Sequence, residues 1–225
     1  MLTLEEWEVL GISMRVGIFC VLISLPPAVL VGWVLARCVF RGKVILDGLC
    51  HLPLVLPPVV TGYLLLVLFG RRGMLGGGLE GVLGLWLAFT WKGAVLASAV
   101  VGFPLMLRAV RLAIEGVDPR LEGAARTLGA GPLRAFWTVT LRLASPGLLA
   151  GSLLTFARSL GEFGATITFV SNIAGETRTL PLAIFTYLNQ PEGEAAAARL
   201  AAISVVLSFA ALLASEGVAR RMGRA

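Results

Sequence analysis

The stretch VGIFCVLISLPPAVLVGWVLA, residues 16–36, decides the class of fold to which this chain belongs. It carries no charged residue over 21 positions, and a second stretch, residues 48–70, carries none over 23. About 20 apolar residues in a helix cross the roughly 30 Å hydrocarbon layer of a membrane. The alternative, a large apolar core in a soluble protein, does not account for charge-free runs of this length. The stretch therefore predicts an integral membrane protein.

The composition of the whole chain supports this prediction. Of its 225 residues, 57% are hydrophobic and 14% are charged, and the mean hydropathy is +0.89. A soluble domain has about 25% charged residues. The net charge of +6 indicates positively charged cytoplasmic loops and not a nucleic-acid partner. We expect membrane lipid to surround the chain.

The apolar runs predict an all-α integral membrane fold with five transmembrane helices in a single domain, 1–225. These helices are expected at about 9–36, 49–69, 84–107, 138–168 and 198–217, with a cytoplasmic loop at about 109–137. The apolar segment 179–188 is too short to span a membrane. The glycine-rich segment 70–81, GRRGMLGGGLEG, is predicted to be a loop.

Positive charges orient the predicted helices. Twelve of the 19 Lys and Arg residues fall on one side: Arg37, Arg41, Lys43, Arg108, Arg111, Arg120, Arg126, Arg134, Arg142, Arg220, Arg221 and Arg224. That side is cytoplasmic by the positive-inside rule. Five crossings then place the N-terminus outside and the C-terminus in the cytoplasm. Arg71 and Arg72 are exceptions, because this arrangement places them outside.

The segment 118–131, DPRLEGAARTLGAG, predicts a short helix on the cytoplasmic side. Asp118 is a favourable N-cap, and Pro119 suits the first helical position. Gly129 suits the position just after a helix end. The expected helix therefore covers 119–128, and a second helix begins at Pro132. Together they form a helix–turn–helix elbow that leads into the fourth crossing.

One face of this short helix combines apolar and small side chains. Helical spacing predicts an apolar stripe of Leu121, Ala125 and Leu128. Beside this stripe lies a patch of small side chains, hereafter the thin patch, formed by Gly123, Ala124 and Ala125. Glu122 adds one charge beside this patch. Small residues allow another backbone to approach closely. The alternative is an ordinary amphipathic helix that lies on the membrane surface.

The segment 122–147, EGAARTLGAGPLRAFWTVTLRLASPG, resembles the cytoplasmic coupling loop of the permease subunits of ABC importers. The residues that match that pattern are Glu122, Ala124, Gly129, Val139 and Leu141. Gly123 stands where alanine is usual, and Arg142 stands where proline is usual. The resemblance implies a type I ABC importer permease fold, and it implies that ATPase coupling involves Leu121, Glu122, Gly123, Ala124, Ala125, Leu128 and Gly129.

Three longer segments, 51–73, 103–131 and 156–181, are similar to the molybdate branch of these permeases. This resemblance implies a homodimer in a bacterial inner membrane, two cytoplasmic ABC ATPase subunits and an external oxyanion-binding protein. It implies ATP-driven import of molybdate by alternating access. Permeases for tungstate or sulfate remain alternatives within the class. A secondary anion transporter or a channel, with no ATPase partner, is the alternative from another class.

The chain lacks the glycine-rich phosphate-loop motif of ATP-binding proteins. We therefore expect no cofactor on the chain itself, and ATP and Mg²⁺ on the partner ATPase. No catalytic group of nucleophile and base, and no metal-ligand cluster, is recognisable in the sequence. The chain is expected to translocate a solute and not to be an enzyme.

Two segments predict a translocation pathway or gate. In the second crossing these residues are Pro57, Pro58, Thr61 and Gly62, because prolines free backbone carbonyls that protein or water must satisfy. A simple kink is the alternative. In the fourth crossing, Arg158 and Glu162 lie four residues apart and can pair, and Gly161 and Gly164 predict that the helix bends or stops there. Ionisable residues inside a membrane are usually functional, although such a pair can also merely neutralise itself.

Overall fold

The computed structural model describes residues 2–71, 73–84 and 86–222. Within these ranges the regular elements are α-helices and one π-helical turn, Phe136–Thr140. The α-helices are α1 Leu4–Arg37, α2 Lys43–Val55, α3 Pro58–Phe69, α4 Gly76–Leu83, α5 Trp91–Glu115, α6 Pro119–Thr127, α7 Pro132–Ala135, α8 Leu141–Leu160, α9 Gly164–Val170, α10 Leu180–Leu188 and α11 Glu194–Met222. Arg72 and Arg224, which the sequence assigned to opposite sides of the membrane, lie outside the described residues.

Four helical segments are long and apolar enough to cross a membrane. They are α1, α5, the continuous segment Pro132–Leu160, and Glu194–Val218 of α11. The pair α2 and α3 passes the same test when taken together, but its two helices are bent by 111°. The described chain thus has four spans, or five if the bent pair is one span.

Helix α5 lies at the centre of the fold and packs against both α1 and α8. Its buried side chains join two apolar clusters, one towards each end of the helix. Small residues bring these helices close together: a Cβ added at Gly151 of α8 would lie 2.6 Å from the Cβ of Ala109 on α5. Close backbone approach at small residues is typical of packed membrane helices.

The second crossing differs from the single helix predicted for 49–69. It consists of α2, which begins earlier at Lys43, and α3, which begins at Pro58. Leu56 and Pro57 between them are extended, with ψ of 142° and 132°. Proline lacks an N–H group and disfavours the helical conformation in the residue before it, so the two consecutive prolines end one helix and begin another.

The third crossing begins later than the predicted 84–107, because α5 covers Trp91–Glu115. Thr90 caps α5, since its side chain accepts a hydrogen bond from the N–H of Gly93. Before this cap the chain turns, with positive φ at Gly84 and Phe89. Part of the predicted glycine-rich loop is helical, as α4.

The fourth crossing is not one helix over 138–168. Its helical segment begins at Pro132, includes the π-helical turn and ends at Leu160, and α9 follows after a break at 161–163. Of the two alternatives predicted at Gly161 and Gly164, a bend or a stop, the structure has the stop. The fifth crossing extends beyond the predicted 198–217, and the first extends beyond 9–36.

The N-terminal end of α1 is fixed by polar contacts. Thr3 and Glu6 form a capping box, and the buried carboxylate of Glu6 pairs with Arg199 of α11 at 2.8 Å. The hydroxyl of Ser13 accepts a hydrogen bond of 2.8 Å from the N–H of Leu180, the first residue of α10. Helix α10 corresponds to the segment 179–188, which was predicted to be too short to span a membrane. It packs beside α1 and α11.

Candidate functional site

The helix α6 stands between two defined caps. The side chain of Asp118 accepts a hydrogen bond of 2.9 Å from the N–H of Arg120 at its start. At its end the N–H of Ala130 bonds to the carbonyl of Ala125, and Gly129 has a φ of +89°. This is a Schellman motif, in which glycine adopts a left-handed conformation that a side chain disfavours. The predicted helix 119–128 is thus observed, with its end at Thr127.

The carboxylate of Glu122 points towards the rest of its own chain. Its Oε1 accepts a short hydrogen bond from the hydroxyl of Thr140 and lies 3.4 Å from Nη2 of Arg37. The same Nη2 donates to the carbonyl of Val117 at 2.6 Å. These four residues are hereafter called the elbow anchor. It joins the C-terminal end of α1, the α5–α6 connection and the start of α8.

The opposite face of α6 is open. No residue of α6 is buried, and the side chains of Leu121 and Leu128 are 47% and 89% exposed. Gly123 and Ala124 are exposed as well, and a Cβ added at Gly123 would meet nothing within 4 Å. The predicted stripe therefore faces outward, except that Ala125 is half-buried. Glu122, which was placed beside the thin patch, belongs instead to the inner face.

A second site lies where the two interrupted helices cross. Gly62 of α3 touches the backbone of α9, since a Cβ added there would lie 2.5 Å from the carbonyl oxygen of Ala165. Gly164 at the start of α9 touches α3, since an added Cβ would lie 2.8 Å from the Cβ of Pro58. We call the pair of interruptions, at 56–57 and at 161–163, the double break. The structure thus brings together the pathway residues that the sequence identified in two separate segments.

An ion pair stabilises the second half of the double break. Oε2 of Glu162 lies 2.9 Å from Nη2 of Arg158. Oε1 of Glu162 accepts a hydrogen bond of 3.0 Å from the N–H of Ala165. The carboxylate therefore caps the start of α9, where the N–H groups of a helix favour negative charge. The side chain of Glu162 is 2% exposed and that of Arg158 is 37% exposed.

The double break lies within the depth of the spans. Gly17 is near the middle of α1, and a Cβ added there would lie 3.0 Å from the hydroxyl oxygen of Ser159, just before the break. Thr61 of α3 is buried, and its hydroxyl has no hydrogen-bond partner among the residues that the structure describes. Pro57 is exposed. The site thus combines a half-exposed guanidinium, a fixed carboxylate and an irregular backbone inside the membrane.

Sequence reasoning missed three members of the elbow anchor, Arg37, Val117 and Thr140, and two of these contact Glu122 directly. Arg37 was assigned only to a positive loop, and Thr140 carried no signal of its own. Each meets Glu122 from a different part of the chain, so no local spacing indicated the contact. In the described ranges, no three His, Cys, Asp or Glu residues are grouped so that they could hold a metal ion.

Comparison with known proteins gives a consistent set of relatives. The family described as "Binding-protein-dependent transport system inner membrane component" matches residues 28–224. The chain is 58% identical over 219 residues to the "Molybdenum transport system permease protein ModB" of Escherichia coli (strain K12), covering 97% of this chain and 96% of that protein. It is 55% identical over 217 residues to the protein of that name from Haemophilus influenzae, covering 96% and 95%.

Among solved structures, the chain is similar to one in inward facing conformations of the MetNI methionine ABC transporter. The TM-score is 0.68 at 18% sequence identity, and the match covers 96% of this chain and 94% of that one. At this identity the likeness shows the fold alone, and that fold is the one of ABC importer permeases.

Proposed function

The chain belongs to the family of binding-protein-dependent transport system inner membrane components, and we propose that it forms the pathway through which an ABC importer carries molybdate into the cell. It is a multi-pass permease subunit of the inner membrane and not an enzyme. The substrate assignment is supported by the molybdenum transport permeases to which the chain is similar over nearly its whole length.

The observation that carries the mechanism is the two-faced helix α6. Its inner face is held by the elbow anchor, and its outer face presents exposed leucines beside small residues. A helix that is anchored on one side and open on the other is suited to dock into a groove of a partner protein. We assign that groove to a cytoplasmic ATPase subunit that binds ATP and Mg²⁺, because this chain has no phosphate-binding loop.

The assignment changes the role expected of Glu122. Its carboxylate is engaged within the chain, so it positions α6 and does not itself contact the ATPase. Replacing Glu122 with arginine would place a second cation beside Arg37 and disrupt the elbow anchor itself. Leu128, which is 89% exposed, is therefore the better residue with which to test docking.

We assign the translocation pathway to the double break of two copies of the chain. Two such copies, two ATPase subunits and an external oxyanion-binding protein complete the importer. ATP binding draws the ATPases together and moves α6, and the spans rotate so that the double break opens outward. The half-exposed guanidinium of Arg158 presents N–H donors to the pathway, while Glu162 neutralises its charge and holds it in place.

The orientation of the chain in the membrane follows from the assignment of α6 to the ATPase. The C-terminal ends of α1 and α5 and the start of α8 meet at the elbow anchor, which is the cytoplasmic side if α6 binds an ATPase. The start of α1 and α10 then face outward, towards the binding protein. The N-terminus is therefore outside, and the C-terminus of α11 is in the cytoplasm.

Reconstitution in lipid vesicles tests the energy source. Vesicles that contain the chain and its ATPase should import molybdate from the loaded binding protein only when ATP is present. Vesicles that lack the ATPase should import none, with or without a proton or sodium gradient. Gradient-driven molybdate uptake by the chain alone would establish a secondary transporter instead.

A further inference from the structure

Helix α2 forms the cytoplasmic arm of the first interrupted helix, and it is weakly held within the chain. None of its residues is buried. Its principal packing partner is α5, and at Leu56–Pro57 it meets α3 at an angle of 111°. Because α2 is joined to the double break at one end and packs mainly against α5, the contact that holds its other end on α5 can direct its movement.

A small group of charged residues holds that other end. Oδ2 of Asp47, one turn into α2, lies 3.2 Å from Nη1 of Arg111 on α5. Nε of Arg111 donates to Oε1 of Glu115 at 2.8 Å, one turn further along α5. Nδ1 of His51 lies 2.8 Å from the carbonyl oxygen of Asp47. Arg111 is therefore fixed on its own helix by Glu115 while it reaches across to α2.

The same end of α5 leads directly to the coupling helix. Arg111 lies about one helical turn before α5 ends at Glu115. Two residues, Gly116 and Val117, then connect α5 to the N-cap Asp118 of α6. Because Arg37 holds the carbonyl of Val117, a displacement of α6 reaches the end of α5 through a short and restrained connection.

We propose that the Asp47–Arg111 ion pair transmits the movement of α6 to α2 and thereby to the double break. Arg111 and Asp47 are positioning residues, which act on the pathway through α2 and contact no substrate. From Asp47 to Val55, α2 is about 12 Å long, so a shift of its tethered end swings the other end at the break. This inference rests on the proposed function, because it requires that an ATPase moves α6.

The ion pair is suited to coupling because it adds little to stability. The side chains of Asp47 and Arg111 are 36% and 29% exposed, and half-exposed ion pairs stabilise a fold only weakly. Variants that break the pair should therefore fold and assemble, while the movement of α2 loses its connection to α5. The quantity that changes is the number of molybdate ions imported per ATP hydrolysed.

The test uses the reconstituted importer with its ATPase and the molybdate-loaded binding protein. In Asp47→Asn and Arg111→Gln, the ratio of molybdate imported to ATP hydrolysed should fall by about two- to fivefold, the factor that the loss of one half-exposed ion pair can supply, with unchanged assembly. The double variant should reduce this ratio no further than either single variant does, because the two substitutions remove the same interaction. Asp47→Glu and Arg111→Lys keep the charges and should retain most of the ratio.

Arg108 provides the matched control. It lies one turn before Arg111, and together with Asp47 and Arg111 it lines a cavity of about 310 Å³. Arg108 forms no ion pair within the part of the chain that the structure describes. Arg108→Gln should leave the ratio unchanged. Unchanged ratios in both Asp47→Asn and Arg111→Gln, or losses that add in the double variant, would overturn the proposed link. A wild-type importer that neither hydrolyses ATP nor imports molybdate would overturn the proposed function with it.

Discussion

Replacing Gly62 with alanine is expected to force apart the two helices that cross at the double break. The added Cβ would lie 2.5 Å from the carbonyl oxygen of Ala165 and 2.9 Å from its Cα. Ordinary contacts begin at 3.4 Å, so α3 and α9 must separate by about 0.9 Å. Both obstructing atoms belong to the backbone, and therefore no side-chain rotation relieves the clash.

The magnitude follows from the cost of overpacking a well-packed interior, about 1–3 kcal/mol. In a chain of this size each kcal/mol changes the unfolding midpoint by about 2–4 °C, so the midpoint should fall by roughly 2–12 °C. Molybdate uptake per folded molecule should fall as well, because α3 and α9 can no longer pack closely at the double break.

The assay compares thermal unfolding of purified Gly62→Ala and Gly11→Ala in the same detergent. Gly11 lies in α1, and a Cβ added there would meet nothing within 4 Å. Alanine at such a helical position is neutral or stabilises by about 0.4–1 kcal/mol. Equal midpoints for the two variants would refute the close crossing of α3 and α9.

Three further predictions concern the elbow. Gly129→Ala should destabilise the protein by about 1–2 kcal/mol, because φ is +89° there, whereas Gly123→Ala on the open face should not; equal unfolding midpoints would contradict the Schellman end. Thr140→Val should destabilise the elbow by about 1.5–3 kcal/mol, because Glu122 loses a hydrogen bond to its charge, and Thr140→Ser should restore the midpoint. Leu128→Asp should leave the midpoint unchanged but weaken ATPase binding in a titration about tenfold or more; unchanged affinity would mean that the open face does not dock.

The sequence predicted the all-helical membrane fold and the elbow because both follow from patterns within short stretches of the chain. A charge-free run lies within a single helix and a cap acts within one helical turn, and Asp118 and Gly129 have the roles expected of them. Helix boundaries were less predictable. The start of α5 is set by the cap at Thr90, although the apolar run begins several residues earlier and continues through it.

The details of both sites depend on contacts between distant parts of the chain. Two prolines indicated a weak point in the second crossing, but neither the 111° angle between α2 and α3 nor the packing of α9 against α3 could be read from them. The orientation of Glu122 depends on Arg37, which also binds Val117 from 80 residues away. Such partners follow from helix packing, and neither periodicity nor spacing contains that information.

The substrate is tested most directly by molybdate uptake in cells that lack only this chain. Uptake would be measured at low molybdate concentration in excess sulfate, with the chain absent and with it restored. Restoration should recover uptake, sulfate should not suppress it, and tungstate would be added as a competitor. Recovery that sulfate abolishes, or no recovery at all, would contradict molybdate import and assign the permease to another anion.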